Sequence, residues 1–158
     1  MSALTTRLAV ATDIPRLEAL WDEQRVIETQ LDPRLALAHP TPESWLTALH
    51  AEVHSELDDT RIVVAVRKGA VLGFIRFRVE SGAGGRVGRV MDVVVDAHNG
   101  SGGVGSVLLD AATAWLHEQG AQAVLFDGVP RNNAVQQAFW DAKGARVIQQ
   151  IRYLPLRG

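Results

Sequence analysis

The residues with the most chemical content lie in one stretch, Arg89 to Leu109, which reads RVMDVVVDAHNGSGGVGSVLL. An apolar run from Val90 to Val95 carries a single carboxylate, Asp92. A glycine-rich loop follows, Gly100-Ser101-Gly102-Gly103-Val104-Gly105, and Val104, Val107, Leu108, Ala111 and Trp115 then recur at helical spacing. A strand that passes through such a turn into a helix aims several main-chain N–H groups, and the positive end of a helix dipole, at one point. That is an anion site, with phosphate its usual occupant. The amides of Ser101, Gly102, Gly103, Val104, Gly105 and Ser106 are therefore expected to hold a phosphate-bearing ligand.

Asp92 is the second chemical feature. A carboxylate inside an apolar run is costly unless it is partnered. It either faces a wet cavity, where it would serve as a general base, or it is a surface-facing strand residue or a partner of Arg76 or Arg89. His50 and His54 form a third feature, four apart on a helix with Glu52 and Glu56 nearby. Their spacing suits zinc, but the order is not HExxH and no third ligand stands close, so they read as surface histidines and no metal site is expected.

The elements that must position these groups follow from periodicity. Thr6 to Ala11 reads as a short strand. Thr12 or Asp13 caps a helix with Pro15 in its first turn and a stripe of Leu17, Leu20, Trp21, Ile27 and Leu31. After the loop LDPRLALAHP, Thr41-Pro42 opens a second helix carrying Trp45, Leu46, Leu49, Val53 and Leu57. Arg61–Val66 and Val71–Val79 form an antiparallel hairpin about Arg67–Ala70. One face of its second strand, with Arg76 and Arg78, reads as cationic and solvated. Ser81–Gly88 reads as a flexible loop.

Beyond the central strand, loop and helix, Ala123–Phe126 is a short strand. Asn132 or Asn133 caps a helix that Gly144 stops, and Ala145–Leu156 is expected to be a terminal strand. The order β-α-α-β-β-β-α-β-α-β gives an α/β (mixed α+β) fold, a central mixed sheet flanked by helices. No repeat or linker divides it, so residues 1–158 are one domain.

The chain has 158 residues, 47% of them hydrophobic, and a net charge of −2. That balance gives no sign of a general polyanion surface, so neither nucleic acid nor a membrane is an expected partner. There is no cysteine, hence no disulfide and no thiolate metal site. Arg7 and Asp13 interrupt any signal-peptide core, and no apolar run reaches spanning length, so a cytoplasmic location is expected.

Two motifs compete for the loop. Gly100-x-Gly102-x-x-Gly105 matches the dinucleotide fingerprint, with Asp127 at a strand end further on. A dinucleotide fold, however, needs several more strand–helix units than remain, and the fingerprint usually opens its domain. The element order, with VVVDAHNGSGGVGSVLL at 93–109 and RNNAVQQAFWDAKGA at 131–145, resembles the GNAT family of N-acetyltransferases. The resemblance implies acetyl-CoA as co-substrate. Its pantetheine and pyrophosphate would lie on Val93, Val94, Val95 and the loop, with the Val94 N–H holding the thioester carbonyl.

The family loop pattern, Arg/Gln-x-x-Gly-x-Gly/Ala, puts Gly103 and Gly105 on its small positions but Gly100 on its basic one. Arg131 or His98 is the expected substitute for that missing charge. Asn133 falls on the family's pantetheine-contacting asparagine. Phe139-Trp140 falls on an apolar–tyrosine pair whose tyrosine protonates the departing thiolate in many members, and Trp140 has no such proton. By the same resemblance Trp21, Arg25 and His39, with Trp45, line the acceptor pocket, and Asp92 is the candidate base. The implied activity is direct acetyl transfer to a primary amine of a small molecule or peptide, in a possible homodimer. The alternatives are a non-catalytic coenzyme A-binding module and the dinucleotide-binding protein.

Overall fold

The computed structural model describes residues 3–54, 58–100 and 102–156. Its elements are β1 (Thr5–Leu8), α1 (Ile14–Leu31), α2 (Pro42–His54), β2 (Thr60–Arg67), β3 (Ala70–Gly82), β4 (Gly85–Val95), α3 (Val104–Glu118), β5 (Val124–Phe126) and α4 (Ala134–Ala142). Short 3-10 turns, Ala11–Asp13 and Pro33–Ala38, flank α1. The five strands lie in chain order in one sheet, antiparallel except for the parallel pair β4–β5. The mixed sheet flanked by helices is the expected one. A single parallel pair is far from the doubly wound parallel sheet that a dinucleotide fold needs.

Each face of the sheet buries its own core. Ile75, Phe77, Val90 and Val93 pack with Leu108, Ala112 and Leu116 of α3 and Trp140 of α4. On the opposite face Ile62, Val64, Phe74 and Val94 pack with Leu17, Leu20 and Trp21 of α1 and Trp45 and Leu49 of α2. Strand alternation would place Val90 and Asp92 on the same side. The ladder with β3 steps from Arg76↔Asp92 to Phe77↔Val90, so β4 carries one extra residue, Met91. This bulge turns Asp92 to the α1/α2 face while Val90 and Val93 both face α3. One residue thus decides which core receives the carboxylate.

Three expectations are corrected. Ala145–Leu156 forms no strand; it is irregular and exposed. Ser81–Gly88 is no flexible loop, because the β3–β4 ladder continues to Gly82↔Gly85 and places most of it in strands. The Asp13 side chain does not cap α1; it accepts from the Val10 amide at 2.8 Å and pairs with Arg7. Thr41 does cap α2, its Oγ1 accepting from the Ser44 N–H at 3.1 Å. Leu57 and Glu56 lie outside the described residues.

Candidate active site

The site begins where two parallel strands part. β5 pairs with β4 only at Gly88, Arg89 and Val90. Past Val90 the outer edge of β4 has no strand beside it among the described residues. The ladder to β3 decides which amides are free there. Asp96 donates its N–H to the Leu72 carbonyl at 2.8 Å, which makes Leu72 and Asp96 a hydrogen-bonded pair. Counting in twos, Phe74–Val94 and Arg76–Asp92 are hydrogen-bonded pairs as well, while Gly73–Val95 and Ile75–Val93 are not. The main-chain groups of Val93 and Val95 therefore point into the fork. Val94 differs from the expectation: its amide is turned inward to β3.

The loop at the end of the fork is shaped by Asp96. Its Oδ1 accepts from the His98 and Asn99 amides at 2.8 and 3.0 Å, and its Oδ2 from Arg16 Nη2 at 2.5 Å. Burial alone would raise the Asp96 carboxyl; those amides and the Arg16 guanidinium bring it down to about 2. α1 holds the loop at a second point, Glu23 Oε1 accepting from the Ala97 N–H at 2.9 Å. The Gly100 N–H returns to the Asp96 carbonyl at 2.8 Å. A Cβ on Gly100 would overlap Val95 Cγ1 and that same carbonyl oxygen. The glycine where the family pattern carries arginine or glutamine is thus required by the close turn.

Gly102 and Gly103 then take φ of +86° and +88°, a conformation other residues rarely adopt. Gly103 caps α3 with no side chain bonded to the helix's first amides. Gly105 sits under the Phe139 ring, with Cε2 3.2 Å from where a Cβ would stand. The Val104 side chain is buried in the core, leaving only its amide for a ligand. Ser101 lies outside the described residues, and Ser106 follows in the first turn of α3.

The cation that stands by the loop is a residue the sequence reading passed over. Arg67, at the end of β2, has its Nη2 3.3 Å from the Cβ position of Gly102, and among the described residues it has no protein partner. Of the two expected substitutes, His98 is 81% exposed and nearest to Glu23, and Arg131 is exposed. No local pattern around Arg67 marks it, since β2 and the loop are more than thirty residues apart.

Helix α4 closes the other side. Asn133 is its N-cap, the Oδ1 accepting from the Gln136 N–H at 3.1 Å. Trp140 packs against Phe126 and Phe139 with ring centroids 4.8 and 5.4 Å away. Its indole N–H is buried without an acceptor among the described residues. The indole supplies no ionisable proton.

On the α1/α2 face lies a network of buried charge. Asp92 is 9% exposed, and its Oδ2 accepts from Trp45 Nε1 at 2.9 Å and Arg76 Nη1 at 2.7 Å. Arg76 also binds Glu52, so the expected solvated cationic face is a buried ion pair at this position. Asp92 Oδ1 takes no hydrogen bond among the described residues. Trp45 stacks on Trp21 at 4.6 Å, and Arg25 lies over Trp21 at 5.2 Å.

Arg25 Nη1 donates to His39 Nδ1 at 2.8 Å, while His39 Nε2 meets Glu28 Oε2 at 2.8 Å. Burial, and then the Arg25 charge, hold the His39 imidazole below its ordinary range against the opposing pull of Glu28 and Asp92. The neutral ring accepts from Arg25 at Nδ1, while Glu28 Oε2, for all its closeness to Nε2, is buried without an aligned hydrogen bond among the described residues. Trp21, Arg25 and His39 are thus brought together as expected. Glu28, 2% exposed, is the member missed. The signal was present, for Glu28 stands seven residues after Trp21 on the buried stripe of α1. His50 and His54 stack at 5.9 Å on an exposed face of α2.

Over residues 18–144 the sequence matches the Acetyltransferase (GNAT) family. The chain belongs to the GNAT family. No curated protein matches it. Among solved structures, a mutant of the BH1408 protein from Bacillus halodurans superposes with a TM-score of 0.80 at 20% identity, covering 97% of this chain and 99% of that one. Aminoglycoside N-acetyltransferase AAC(6')-Iy, solved in complex with CoA, gives 0.71 at 18% identity over 100% and 97%. Ribosomal-protein-alanine N-acetyltransferase from Brucella melitensis biovar Abortus 2308 gives 0.66 at 16% identity over 99% and 100%. At these identities the likeness is one of fold, and this GNAT chain shares it across its whole length.

Proposed function

We propose that this GNAT protein transfers an acetyl group from acetyl-CoA to a primary amine of a small molecule or peptide, by direct attack and without a covalent enzyme intermediate. The observation that carries the reading is the fork. Main-chain groups of Val93 and Val95 line one side, and the glycine-framed start of α3 closes the end. An extended pantetheine arm fits along an unpaired strand edge as an added strand would. Its pyrophosphate then falls on the amides of residues 102–106, with Arg67 as counter-charge. Asn133, Phe139 and Trp140 flank the arm from α4.

In this reading the amine enters from the α1/α2 face past Trp21, Arg25 and His39. Its neutral nitrogen attacks the thioester carbon, the N–C bond forms and the C–S bond breaks. The nitrogen's proton goes to Asp92 Oδ1, directly or through water. Coenzyme A leaves as the thiolate, whose ordinary pKa near 8.5 lets it depart and take a proton from solvent. The acting unit is a cytoplasmic homodimer.

A thiol-release assay with acetyl-CoA against amino acids, polyamines, aminoglycosides and peptides tests the proposal. Turnover with at least one amine is expected, and Asp92→Asn should retain coenzyme binding while losing turnover by about 10²-fold or more. Two observations favour a second reading, a coenzyme A-binding module without catalysis: Asp92 is already held by Arg76, and a tryptophan, Trp140, stands where the acid would. Tight coenzyme binding with no thiol released by any amine would select it. Thermal stabilisation by NAD and none by coenzyme A would sink both.

A further inference from the structure

Among the described residues four buried side-chain polar atoms have no hydrogen-bond partner, and three of them belong to one cluster: Trp21 Nε1, Arg25 Nε and Glu28 Oε2. The three residues share one face of α1. Their side chains touch in turn, the Arg25 guanidinium lying 5.2 Å from the Trp21 ring centroid and its Nη2 3.3 Å from Glu28 Oε1. Neighbouring polar atoms are engaged: Glu28 Oε1 also accepts from Gln24 Nε2 at 3.1 Å, and Arg25 Nη1 donates to His39 Nδ1. A buried polar group left unpaired is costly, and three in contact mark a place shaped for a further polar group. The cluster is not sealed, because the Arg25 and His39 side chains keep 20% and 18% of their surface exposed. It also adjoins the candidate base: Trp21 stacks on Trp45, which donates to Asp92.

We infer that the acceptor is a hydroxylated primary amine whose hydroxyl seats between Trp21, Arg25 and Glu28. The unpaired set is two N–H donors and one carboxylate oxygen. An ammonium only donates, so it would leave the indole and guanidinium N–H groups as they are. A carboxylate only accepts, and it would stand against Glu28 while the charge of Arg25 is already paired. A hydroxyl accepts twice and donates once, which is the complement of all three atoms. An aliphatic carbon answers none of them. Water has the same capacity as a hydroxyl and is the rival occupant. The cluster lies on the proposed path of the amine, on which this inference rests, and it narrows that amine to a class.

Two measurements test it. In thiol release with acetyl-CoA, ethanolamine, propanolamine and butanolamine are each set against the alkylamine that carries a methyl in place of the hydroxyl. Putrescine and γ-aminobutyrate serve as the charged comparators. At the best length the alcohol should exceed its alkylamine in kcat/KM by about tenfold or more, and the charged pair should not match it. Trp21→Phe keeps an aromatic ring against Trp45 and removes one donor, while Arg25→Lys keeps the charge and removes the other. Each should cut the alcohol-to-alkylamine ratio several-fold, whatever it does to the overall rate. The second measurement needs no turnover. In the isotope-labelled full chain, with and without coenzyme A, the indole N–H resonance that Trp21→Phe deletes should move on adding the alcohol and stay put with the alkylamine. A resonance unmoved by every amine marks a resident water and overturns the inference, as does one that answers alcohol and alkylamine alike. Turnover with a ratio near one also overturns it and leaves the proposed transfer standing. A resonance that answers the alcohol alone, with no thiol released by any amine, sinks the transfer and keeps the hydroxyl site.

Discussion

The two faces of the sheet are built on opposite principles. The face under α3, with the fork at its edge, offers main-chain groups, glycines and apolar side chains, with the Arg67 guanidinium beside the loop. The face under α1 and α2 buries Asp92 and Glu28, paired with Arg76, Arg25 and His39. A main-chain cradle depends on backbone path and tolerates most side-chain changes that leave the path alone. A side-chain network is the reverse, since each charge depends on its partner's identity. On the proposed reading the constant part of the reaction falls to the first face, and the choice of amine to the second.

The contrast can be broken most severely on the charged face. Arg76→Ala leaves Asp92 and Glu52 without their shared partner and should cost about 3–5 kcal/mol in urea unfolding. A neutral result would mean that the network is solvated. On the main-chain face the largest effect is expected at Gly100. Restoring the family's arginine by Gly100→Arg forces a Cβ into the Asp96 carbonyl and should cost about 2–3 kcal/mol while weakening coenzyme A in calorimetry. Tighter binding instead would show that the loop has another path available.

Asp96 gives the next effect. Its folded-state carboxyl titrates at about 2, below the ordinary carboxylate range, so the stabilisation is complete above the unfolded-state value near 3.9. It is lost as pH falls from roughly 5 through about 2, a change on the order of 2 kcal/mol. The difference in unfolding free energy between the native chain and Asp96→Asn should shrink over that window. A constant difference would remove the charge from the account. The smallest effect on folding belongs to Arg67→Ala. Stability should change by under about 0.5 kcal/mol, while coenzyme A affinity falls roughly 5–10-fold, and less at high salt. Unchanged affinity would leave the cradle to the amides alone.

Local signals accounted for a large share of this. The glycines at 100–105 announced a turn into a helix because their conformational demands are written in neighbouring positions. The caps at Thr41 and Asn133 were legible for the same reason. Asp92 was visible as an anomaly, but its two readings could not be separated, because the Met91 bulge that aims it at Arg76 has no local mark. Glu28 was hidden among polar residues of α1 although its spacing from Trp21 placed it inside. Arg67 was invisible, for only the tertiary path brings the end of β2 to the loop. The terminal segment was read as a strand from its composition, and the fold withholds the partner that composition calls for.

By itself, the sequence determined the order of elements as far as α4 and the glycine loop, since both rest on periodicity and turn chemistry within a few residues, and its motifs carried the family. Only the tertiary structure decided which face receives Asp92, which amides open into the fork and which cation stands by the loop. Those depend on register, where one inserted residue reverses a side chain, and on contacts between segments far apart in the chain.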